Sequence, residues 1–434
     1  MSVEWTLTHA DATSCIVWVR SDAEETITIS TSSGAFSTTV NPAVEDGTSS
    51  ITVTGLTGDT TGTINGEPIL LKVSPAMPVI AVPSCANGVA DAWAHYLMGQ
   101  GVNVTVFAGD MPYPDDTTLT FAGITTKRTA YLLADNTAAQ YAAHYKQFRR
   151  VPGVRSLLRQ SLLYATYDDH EVVNNWDWTL ARANTYTTLA TDAAELRAVY
   201  DRAMQAWEWY HARGLQKPGG LDTDPGTQYS TCRHGPVFIA ILDCISHKSP
   251  AAQTDDASKY MLGPLQEARL IADITGSDAP FKIIVSGKQP YTNASANQDG
   301  WSPMDTNTGY TTQRERIAAA LAGTPGVVWA CGDDHSATVV DHPSGVLMVS
   351  GCPCATSNQS TGQGADYETG VVFKGFGNPG APPANLAQYA TNILRVLPTG
   401  ELSIELHDLT HRTLWWRRIM RPDGTTYYPG NRVG

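Results

Sequence analysis

Short runs of alternating apolar and polar residues fill the first 75 positions of the chain. Turn-forming Asp, Gly, Asn and Ser residues separate five such runs, which are Val3–Thr8, Cys15–Arg20, Thr26–Ile29, Ser50–Val53 and Ile69–Val73. A period of two predicts strands with one buried face, and short strands at this spacing are typical of a small β-sandwich. We therefore predict an all-β accessory domain over residues 1–75.

Beyond Pro75 the pattern changes to longer apolar strands that alternate with helical stretches. The predicted strands are Val102–Phe107, Leu162–Thr166, Val237–Leu242, Lys282–Val285 and Val327–Ala330. The predicted helices are Asn136–Arg150, Ala193–His211, Pro264–Ile274 and Thr312–Leu321. This alternation predicts layered α/β packing in a second domain over residues 76–434. Residues 386–420 return to alternating strands, which we expect to complete its sheet.

Composition and charge exclude several classes of protein. The 434 residues include 29 Lys and Arg against 42 Asp and Glu, so the formal net charge is −13, and no basic block exists that could neutralise a nucleic-acid backbone. Hydrophobic residues make up 42% of the chain and are spread along it, which argues against disorder. The apolar runs are too short to cross a bilayer. No G-x-S-x-G nucleophile elbow occurs, which argues against a serine hydrolase.

Reactive side chains cluster just after the ends of the predicted strands. Four segments show this, namely Ser84-Cys85, Gly109-Asp110 with Tyr113, Asp168-Asp169-His170-Glu171 with Asn174-Asn175-Trp176, and Gly332-Asp333 with His335. Loops at the carboxyl ends of strands carry the functional sites of α/β sheets. Consecutive acids beside a histidine repel one another unless a cation holds them. The residue types therefore predict a site for several hard and borderline metal ions.

The order of these motifs resembles the alkaline phosphatase D (PhoD-like) family of the metallophosphoesterase superfamily. The Asp-Asp-His-Glu-x-x-Asn-Asn-Trp block is highly specific, and the resemblance covers nearly the whole chain, including the N-terminal sandwich. It implies an α/β (α+β) metallophosphoesterase-like core of two sheets flanked by helices, with metals at the strand ends. An immunoglobulin- or fibronectin-like sandwich would precede this core.

The resemblance also implies a set of metal ligands. By position these are Cys85, Asp110, Tyr113, Asp169, Asn174, Asn175, Asp333 and His335. Asp110 would bridge two metals, Cys85 and Tyr113 would bind a ferric ion, and Asp169 with Asn174 or Asn175 would hold calcium. Thiolate and phenolate donors favour Fe³⁺, whereas carboxylate and amide oxygens suit Ca²⁺. We expect Fe³⁺ and Ca²⁺ as cofactors, with Mn, Zn, Co or Mg as alternatives.

The chain departs from the family pattern where a phosphate-binding cation is expected. Family members usually carry an arginine after the strand that ends here at Leu242-Asp243, but this chain continues with Cys244–Lys248. The candidate substrate-binding residues are therefore Lys288, Gln289, His247 and Arg233.

The sequence thus predicts a metal-dependent hydrolase of phosphate esters, a phosphodiesterase or alkaline phosphatase. Asp110 and His170 are the predicted catalytic residues, with a metal-activated hydroxide attacking phosphorus and His170 near the leaving group. Two alternatives are a phospholipase-like phosphodiesterase and a non-catalytic, calcium-stabilised surface or adhesion module. The substrate would be a small-molecule, lipid or polymer phosphate ester. The resemblance implies a secreted or periplasmic protein, although Met1–Thr6 carries no signal peptide.

Overall fold

The computed structural model describes residues 3–86, 91–113, 118–121, 124–127, 137–180, 190–212, 227–293, 300–303, 309–333, 335, 337–352, 354, 370–374 and 389–429. None of the helices in these ranges combines the length and the apolar character that a membrane span requires.

The N-terminal region forms two antiparallel sheets. Its strands are β1 (Glu4–Ala10), β2 (Cys15–Arg20), β3 (Glu25–Thr31), β4 (Gly34–Val40), β5 (Thr48–Val53), β6 (Thr60–Ile64) and β7 (Glu67–Leu71). The strand orders are β1-β2-β5 and β4-β3-β6-β7. Apolar side chains from both sheets, such as Val17 and Ile29, lie in one buried cluster. The sequence pattern missed β4 and β6 because both are rich in Thr and Gly and carry few apolar residues.

The rest of the chain supplies the remaining strands and the helices. The strands are β8 (Val79–Val82), β9 (Val104–Ala108), β10 (Thr118–Phe121), β11 (Ile124–Lys127), β12 (Leu162–Thr166), β13 (Ser230–His234), β14 (Val237–Ile241), β15 (Phe281–Ser286), β16 (Thr292–Asn293), β17 (Ser302–Pro303), β18 (Val327–Cys331), β19 (Ala337–Asp341), β20 (Leu347–Gly351), β21 (Val371–Lys374), β22 (Ala390–Val396), β23 (Leu402–Asp408), β24 (Thr413–Met420) and β25 (Thr426–Tyr427). The helices are α1 (Ala92–Gly99), α2 (Ala138–Arg150), α3 (Pro152–Gln160), α4 (Ala193–Trp207), α5 (Pro264–Gly276) and α6 (Thr311–Leu321).

Two seven-stranded sheets form the centre of the molecule. Their strand orders are β12-β9-β8-β22-β23-β24-β25 and β13-β14-β15-β18-β20-β19-β21. Inward-facing side chains of both sheets, such as Val106 and Ile283, share one hydrophobic cluster. Helices α1 to α4 pack on the outer face of the first sheet, and α5 and α6 pack on the outer face of the second. The fold is therefore mixed α/β with helices outside the sheets.

The observed elements agree closely with the predicted ones where the apolar pattern is strong. Strand β12 has the predicted bounds, and α2 begins at Ala138 because Thr137 and Gln140 form a capping box there. The helix predicted over Ala193–His211 instead ends at Trp207 and continues as a π-helical turn over Glu208–Ala212.

The loops that carry the predicted site residues lie where the carboxyl ends of parallel strands from both sheets meet. Strands β8, β9 and β12 are parallel in the first sheet, as are β14, β15, β18 and β20 in the second. Hydrogen bonds between the sheets fix this edge, as two examples show. The Thr166 hydroxyl donates to the Leu242 carbonyl at 2.5 Å, and the Cys354 amide donates to the Ser84 carbonyl at 3.0 Å. The loops that follow these strands are thereby brought together.

Glycines allow the loops to approach Asp168 closely. Gly109 has a φ of +81°, and a Cβ placed on it would lie 2.6 Å from Asp168 Cβ. A Cβ on Gly287, in the loop after β15, would lie 2.9 Å from Asp168 Cγ. Both contacts are too short for any side chain, so the position of Asp168 depends on glycine in two neighbouring loops.

Substitution of Gly109 by Ala should destabilise the protein more than the matched substitution at Gly101. Gly101 also has a positive φ, +73°, but no atom lies within 4 Å of a Cβ placed there. We expect Gly101→Ala to lower the free energy of unfolding by about 1 to 2 kcal/mol from backbone strain alone. Gly109→Ala should cost about 1 to 3 kcal/mol more because it also displaces Asp168. Urea denaturation measures both, and equal losses would contradict the close approach.

Candidate metal centre

Four aspartates from three loops bring their carboxylates together at this edge. Asp110 follows β9, Asp168 and Asp169 follow β12, and Asp333 follows β18. One oxygen from each lies within 4.8 Å of the others. Asp110, Asp168 and Asp169 are buried and Asp333 is partly buried. Buried carboxylates at such distances repel one another unless cations lie among them.

The ammonium group of Lys288 lies among these carboxylates. Its Nζ is 2.9 Å from Asp169 Oδ1, 3.0 Å from Asp333 Oδ1 and 3.2 Å from Asp168 Oδ2. The Lys288 side chain is fully buried. One ammonium offsets only part of the charge of four carboxylates, so the cluster keeps an excess of negative charge.

Glu171 fixes the backbone that carries the aspartates. Its carboxylate accepts hydrogen bonds from the backbone amides of Asp110 at 2.9 Å, Met111 at 2.9 Å and Asp168 at 2.8 Å. Burial raises the pKa of Glu171 to about 7, although these three amides oppose the rise. Glu171 thus ties the loop after β12 to the loop after β9, while Asp168 and Asp169 of the same acid block belong to the carboxylate cluster.

A second donor group contains two thiols and an imidazole. Ligand atoms of Cys85, His335 and Cys352 lie within 4.8 Å of one another, and the two Sγ atoms are 3.0 Å apart. Cys85 Sγ is 3.5 Å from Asp110 Oδ2, and the Tyr113 hydroxyl is 3.4 Å from the same oxygen. Asp110 therefore lies between the thiol group and the carboxylate cluster.

The pKa values follow the crowding of charge. Burial raises the pKa of the Cys85 thiol, but the hydrogen bond from Cys352 and the charge of His335 lower it by more than burial raises it. The pKa of Cys85 is therefore well below its usual value. Burial and the charge of Cys85 raise the pKa of Asp110 well above its usual value. Burial and the charge of Asp110 do the same for Tyr113.

These two groups fit metal ions by their donor chemistry. A buried thiolate beside an imidazole suits a transition metal, and a cluster of carboxylate oxygens suits a hard cation. The raised pKa of Asp110 also indicates a missing positive charge, because without a cation the negative charge of this carboxylate adds to those around it. Bound cations would relieve this repulsion.

His170 and the two asparagines lie beside the cluster. The His170 amide donates to Asp110 Oδ1 at 3.3 Å, and its half-buried ring lies 4.1 Å from the Tyr113 ring, centre to centre. The buried Asn175 donates its backbone amide to Asp169 Oδ2, and Asn174 is half-buried beside it. His170 and Asn175 therefore contact two residues of the cluster, Asp110 and Asp169.

The predicted substrate-binding residues are not all at this edge. Gln289 is buried next to Lys288, with its side-chain amide against Gly300. His247 lies in the turn after β14 and packs against Gly263. Arg233 is exposed on the outermost strand of the second sheet, near the amino-terminal end of β14, and pairs with Asp278. The structure does not bring Arg233 to the carboxylate cluster, because β13 runs antiparallel to β14 and carries it toward the opposite end of the sheet.

The turn after β14, over residues 244–248, is held by Asp243. Its Oδ1 accepts the backbone amides of Ile245 and Ser246, each at 3.0 Å. Lys248, at the end of this turn, is buried and donates to the Trp176 carbonyl at 3.2 Å. This ammonium therefore binds the backbone of the loop that follows β12.

Sequence reasoning did not assign three residues of this centre. Asp168 and Glu171 belong to the acid block that the sequence analysis singled out, but only the fold shows which acid faces which loop. Cys352 follows β20 in the way that Cys85 follows β8, and this strand-end position was the available signal.

Backbone strain is concentrated at the centre. Of the nine described non-glycine residues with positive φ, five lie here, namely Cys85, Asp110, Asn175, Asp333 and His335. Each such conformation costs about 1 to 3 kcal/mol and persists only where the surrounding structure enforces it. Strain at consecutive strand ends is typical of a functional site.

Comparison with known proteins agrees with this geometry. A family model described as PhoD-like phosphatase matches residues 79–366, more than half of the chain. The chain belongs to the PhoD-like phosphatase family. Among solved structures, the PhoD-like chain is similar to one of PhoD, with a TM-score of 0.71, 14% identity and coverage of 99% of this chain and 92% of that one. It is also similar to purple acid phosphatase PPD1 from yellow lupin (Lupinus luteus) seeds, with a TM-score of 0.63, 10% identity and coverage of 99% and 77%. No curated protein matches the chain.

Family membership establishes the general activity. The PhoD-like chain is a phosphoesterase, and its family implies metal ions, for which the two donor groups are the candidate ligands. At such low identities, the two solved structures show the shared fold alone.

Replacement of Lys288 by Met should destabilise the metal-free protein most. Without the ammonium, the buried carboxylates lack a countercharge, and the free energy of unfolding should fall by about 3 to 5 kcal/mol in excess chelator. With divalent metal present, the loss should be smaller because metal ions supply positive charge. Denaturation with and without chelator measures the difference.

The matched control is Lys259→Met. Lys259 is also buried, but its Nζ donates to the carbonyls of Ala251 at 2.8 Å and Gln253 at 2.7 Å. Lys259→Met should lower the free energy of unfolding by the same amount with and without chelator. A chelator-independent loss for Lys288→Met would mean that Lys288 acts through packing instead of charge.

Proposed function

We propose that this chain hydrolyses both diesters and monoesters of phosphate with metal ions held between the two sheets. The observation that carries the proposal is the convergence of the carboxylate cluster and the thiol group on Asp110 in a member of a phosphatase family. Family membership favours an enzyme over the non-catalytic surface module. The phospholipase-like alternative differs only in substrate.

The ligand assignment rests on the chemistry of each group. Cys85, His335 and Cys352 would hold a ferric ion with Tyr113 nearby, and Asp169, Asp333 and Asn174 or Asn175 would hold calcium. Asp110 would contribute to both because it adjoins both groups. When bound, metal ions polarise phosphoryl oxygens and lower the pKa of water.

His170 is the proposed proton donor to the leaving oxygen. Its backbone is fixed by the bond to Asp110, and its ring packs on Tyr113 without being fully buried. A half-buried imidazole next to the reacting centre can hold a proton and still meet the substrate.

Lys288 and Gln289 have different proposed roles. Three carboxylate contacts support a role for Lys288 as a fixed countercharge that positions Asp168 and Asp169. Gln289 follows it at the same edge, and its buried amide is the proposed contact to substrate.

We also propose that residues 1–75 form an accessory β-sandwich and residues 76–434 the catalytic domain. Each N-terminal sheet contains strands from the first region only, which supports this division. The two parts are in contact, since Trp18 Nε1 donates to the Trp209 carbonyl at 2.7 Å.

The deciding experiment measures hydrolysis and metal content together in Asp110→Asn. We expect the wild-type chain to cleave bis(p-nitrophenyl) phosphate and p-nitrophenyl phosphate at alkaline pH. Asp110→Asn should lose bound metal, measured by mass spectrometry, and about 10³-fold or more of kcat/KM, because Asp110 adjoins both donor groups. Asp201→Asn, on the exposed face of α4, is the control and should change neither.

Two results would decide among the alternatives. Faster cleavage of a short-chain phosphatidylcholine than of either nitrophenyl ester would favour the phospholipase-like reading. A wild-type chain that neither binds metal nor turns over after reconstitution with iron and calcium would overturn the proposal.

His170→Ala should separate proton donation from metal binding. We expect normal metal content and a kcat lower by about 10²- to 10⁴-fold on alkyl phosphate esters, whose leaving groups need a proton. The loss should be smaller on p-nitrophenyl esters, whose leaving group is a weak base. His95→Ala, on α1 beside Asp91, is the matched control. Normal turnover of an alkyl ester by His170→Ala would remove His170 from catalysis.

A further inference from the structure

A cavity of about 380 Å³ lies where the N-terminal sheet meets helices α2 and α3. Its walls come from β1, β2, the residue Asp22 after β2, and the two helices, so none of them belongs to the metal centre. This volume lies in the range of small-molecule sites.

Arginines dominate the charge of this cavity. Arg149 and Arg150 end α2, Arg155 and Arg159 lie on one face of α3, and all four line the space. The whole chain has a net charge of −13, so a local excess of positive charge is unexpected.

The acidic residues of the cavity are already paired. Glu4 and Asp22 line it, and both bind the guanidinium of Arg150. Arg20 contacts them too, at 3.2 Å and 2.7 Å, and Lys146 lies 2.8 Å from Asp22. Both carboxylates are therefore in ion pairs, although the buried Oε2 of Glu4 has no hydrogen-bond partner among the described residues. The four arginines still outnumber the two carboxylates of the lining.

The other three arginines have no carboxylate partner within 4.0 Å among the described residues. Arg149 is 4% exposed, its Nη1 donates to the Thr6 hydroxyl at 2.9 Å, and its guanidinium lies 4.2 Å from the centre of the Trp18 ring. Its buried Nε has no hydrogen-bond partner in the part of the chain that the structure describes. Burial lowers the pKa of Arg149 to about 10.

Arg159 repeats this arrangement on the neighbouring helix. Its guanidinium lies 4.8 Å from the centre of the Trp5 ring, and its buried Nε likewise has no partner within the described ranges. Burial and then the charge of Arg155 lower the pKa of Arg159. The Trp5 face thus holds the Arg159 guanidinium, whose donors can bind an anion. The Trp18 face holds Arg149, whose Nη1 and Nη2 already donate to the Thr6 hydroxyl and the Tyr210 carbonyl, so that Arg149 adds positive charge and no free donor.

We propose that this cavity is a binding site for a small oxyanion, with a phosphoryl group as its ligand. Guanidinium groups bind phosphate through charge-assisted, often bidentate hydrogen bonds. Arg155 and Arg159 would contact the ligand directly, and Arg149 would add charge from the buried wall. The proposal does not depend on the proposed catalytic mechanism, because it uses none of the same residues.

The test is a calorimetric titration of the full-length, metal-loaded chain with inorganic phosphate at low ionic strength. We expect a binding event that Arg155→Gln/Arg159→Gln weakens by about tenfold or more. Inhibition of bis(p-nitrophenyl) phosphate hydrolysis by phosphate, which reports on the metal centre, should be unchanged. This second readout separates failure of the cavity proposal from failure of the proposed function.

Two further variants make the result unambiguous. Arg155→Glu changes only an exposed position and should weaken binding by itself, since the new carboxylate can pair with Arg159 one helical turn later. Arg197→Gln, an exposed arginine on α4, is the matched control and should bind phosphate like the wild type. Unchanged phosphate binding in both cavity variants would overturn the proposal.

Titration with the phosphonate analogue of glycerol phosphate, whose C–P bond a phosphoesterase does not cleave, distinguishes the two sources of a phosphoryl group. Weaker binding than that of inorganic phosphate would assign the free ion, and tighter binding would assign a phosphorylated organic ligand. If the wild type bound neither inorganic phosphate nor the phosphonate analogue, the proposal would be overturned.

Discussion

Repulsion among buried carboxylates is the constraint on which the rest of this structure depends. Four aspartates can share one edge only if the backbone holds them there and positive charge lies among them. Glycines in two loops give Asp168 its space, and Glu171 ties its loop to that of Asp110. Lys288 supplies one charge, and metal ions would supply the remainder. The fold therefore holds the carboxylates in an arrangement that favours cation binding.

Asp110 is the junction of two different chemical environments. On one side lie a thiol pair and His335, donors that suit a polarisable metal, and on the other side lie carboxylate oxygens, donors that suit a hard cation. A single carboxylate that contacts both groups would make metal binding at one of them sensitive to metal binding at the other. For this reason, the proposed function depends more on Asp110 than on any other residue.

The fold brings to one edge most of the residues that the sequence analysis singled out after predicted strands. Strand β12 and the block after it needed only the apolar pattern and the neighbouring acids. Cys352 and the role of Glu171 were missed because they depend on which loops meet, and this is set by the packing of two sheets. Arg233 had the right charge, but strand direction takes it away from the cluster. Strands β4 and β6 were missed because their polar residues carry no hydrophobic period.

The strand order of the first sheet has a consequence for how the chain folds during synthesis. Strand β8, which leads to Cys85, pairs on one side with β9 but on the other with β22, so that Val82 lies opposite Asn392. The two N-terminal sheets use only nearby residues and can form early. The metal-binding edge must wait until the ribosome has delivered β22, more than 300 residues after β8. Long-range pairing of this kind slows folding and leaves strand edges open in the meantime. A nascent chain would therefore carry its reactive thiol in an incomplete sheet for most of its translation.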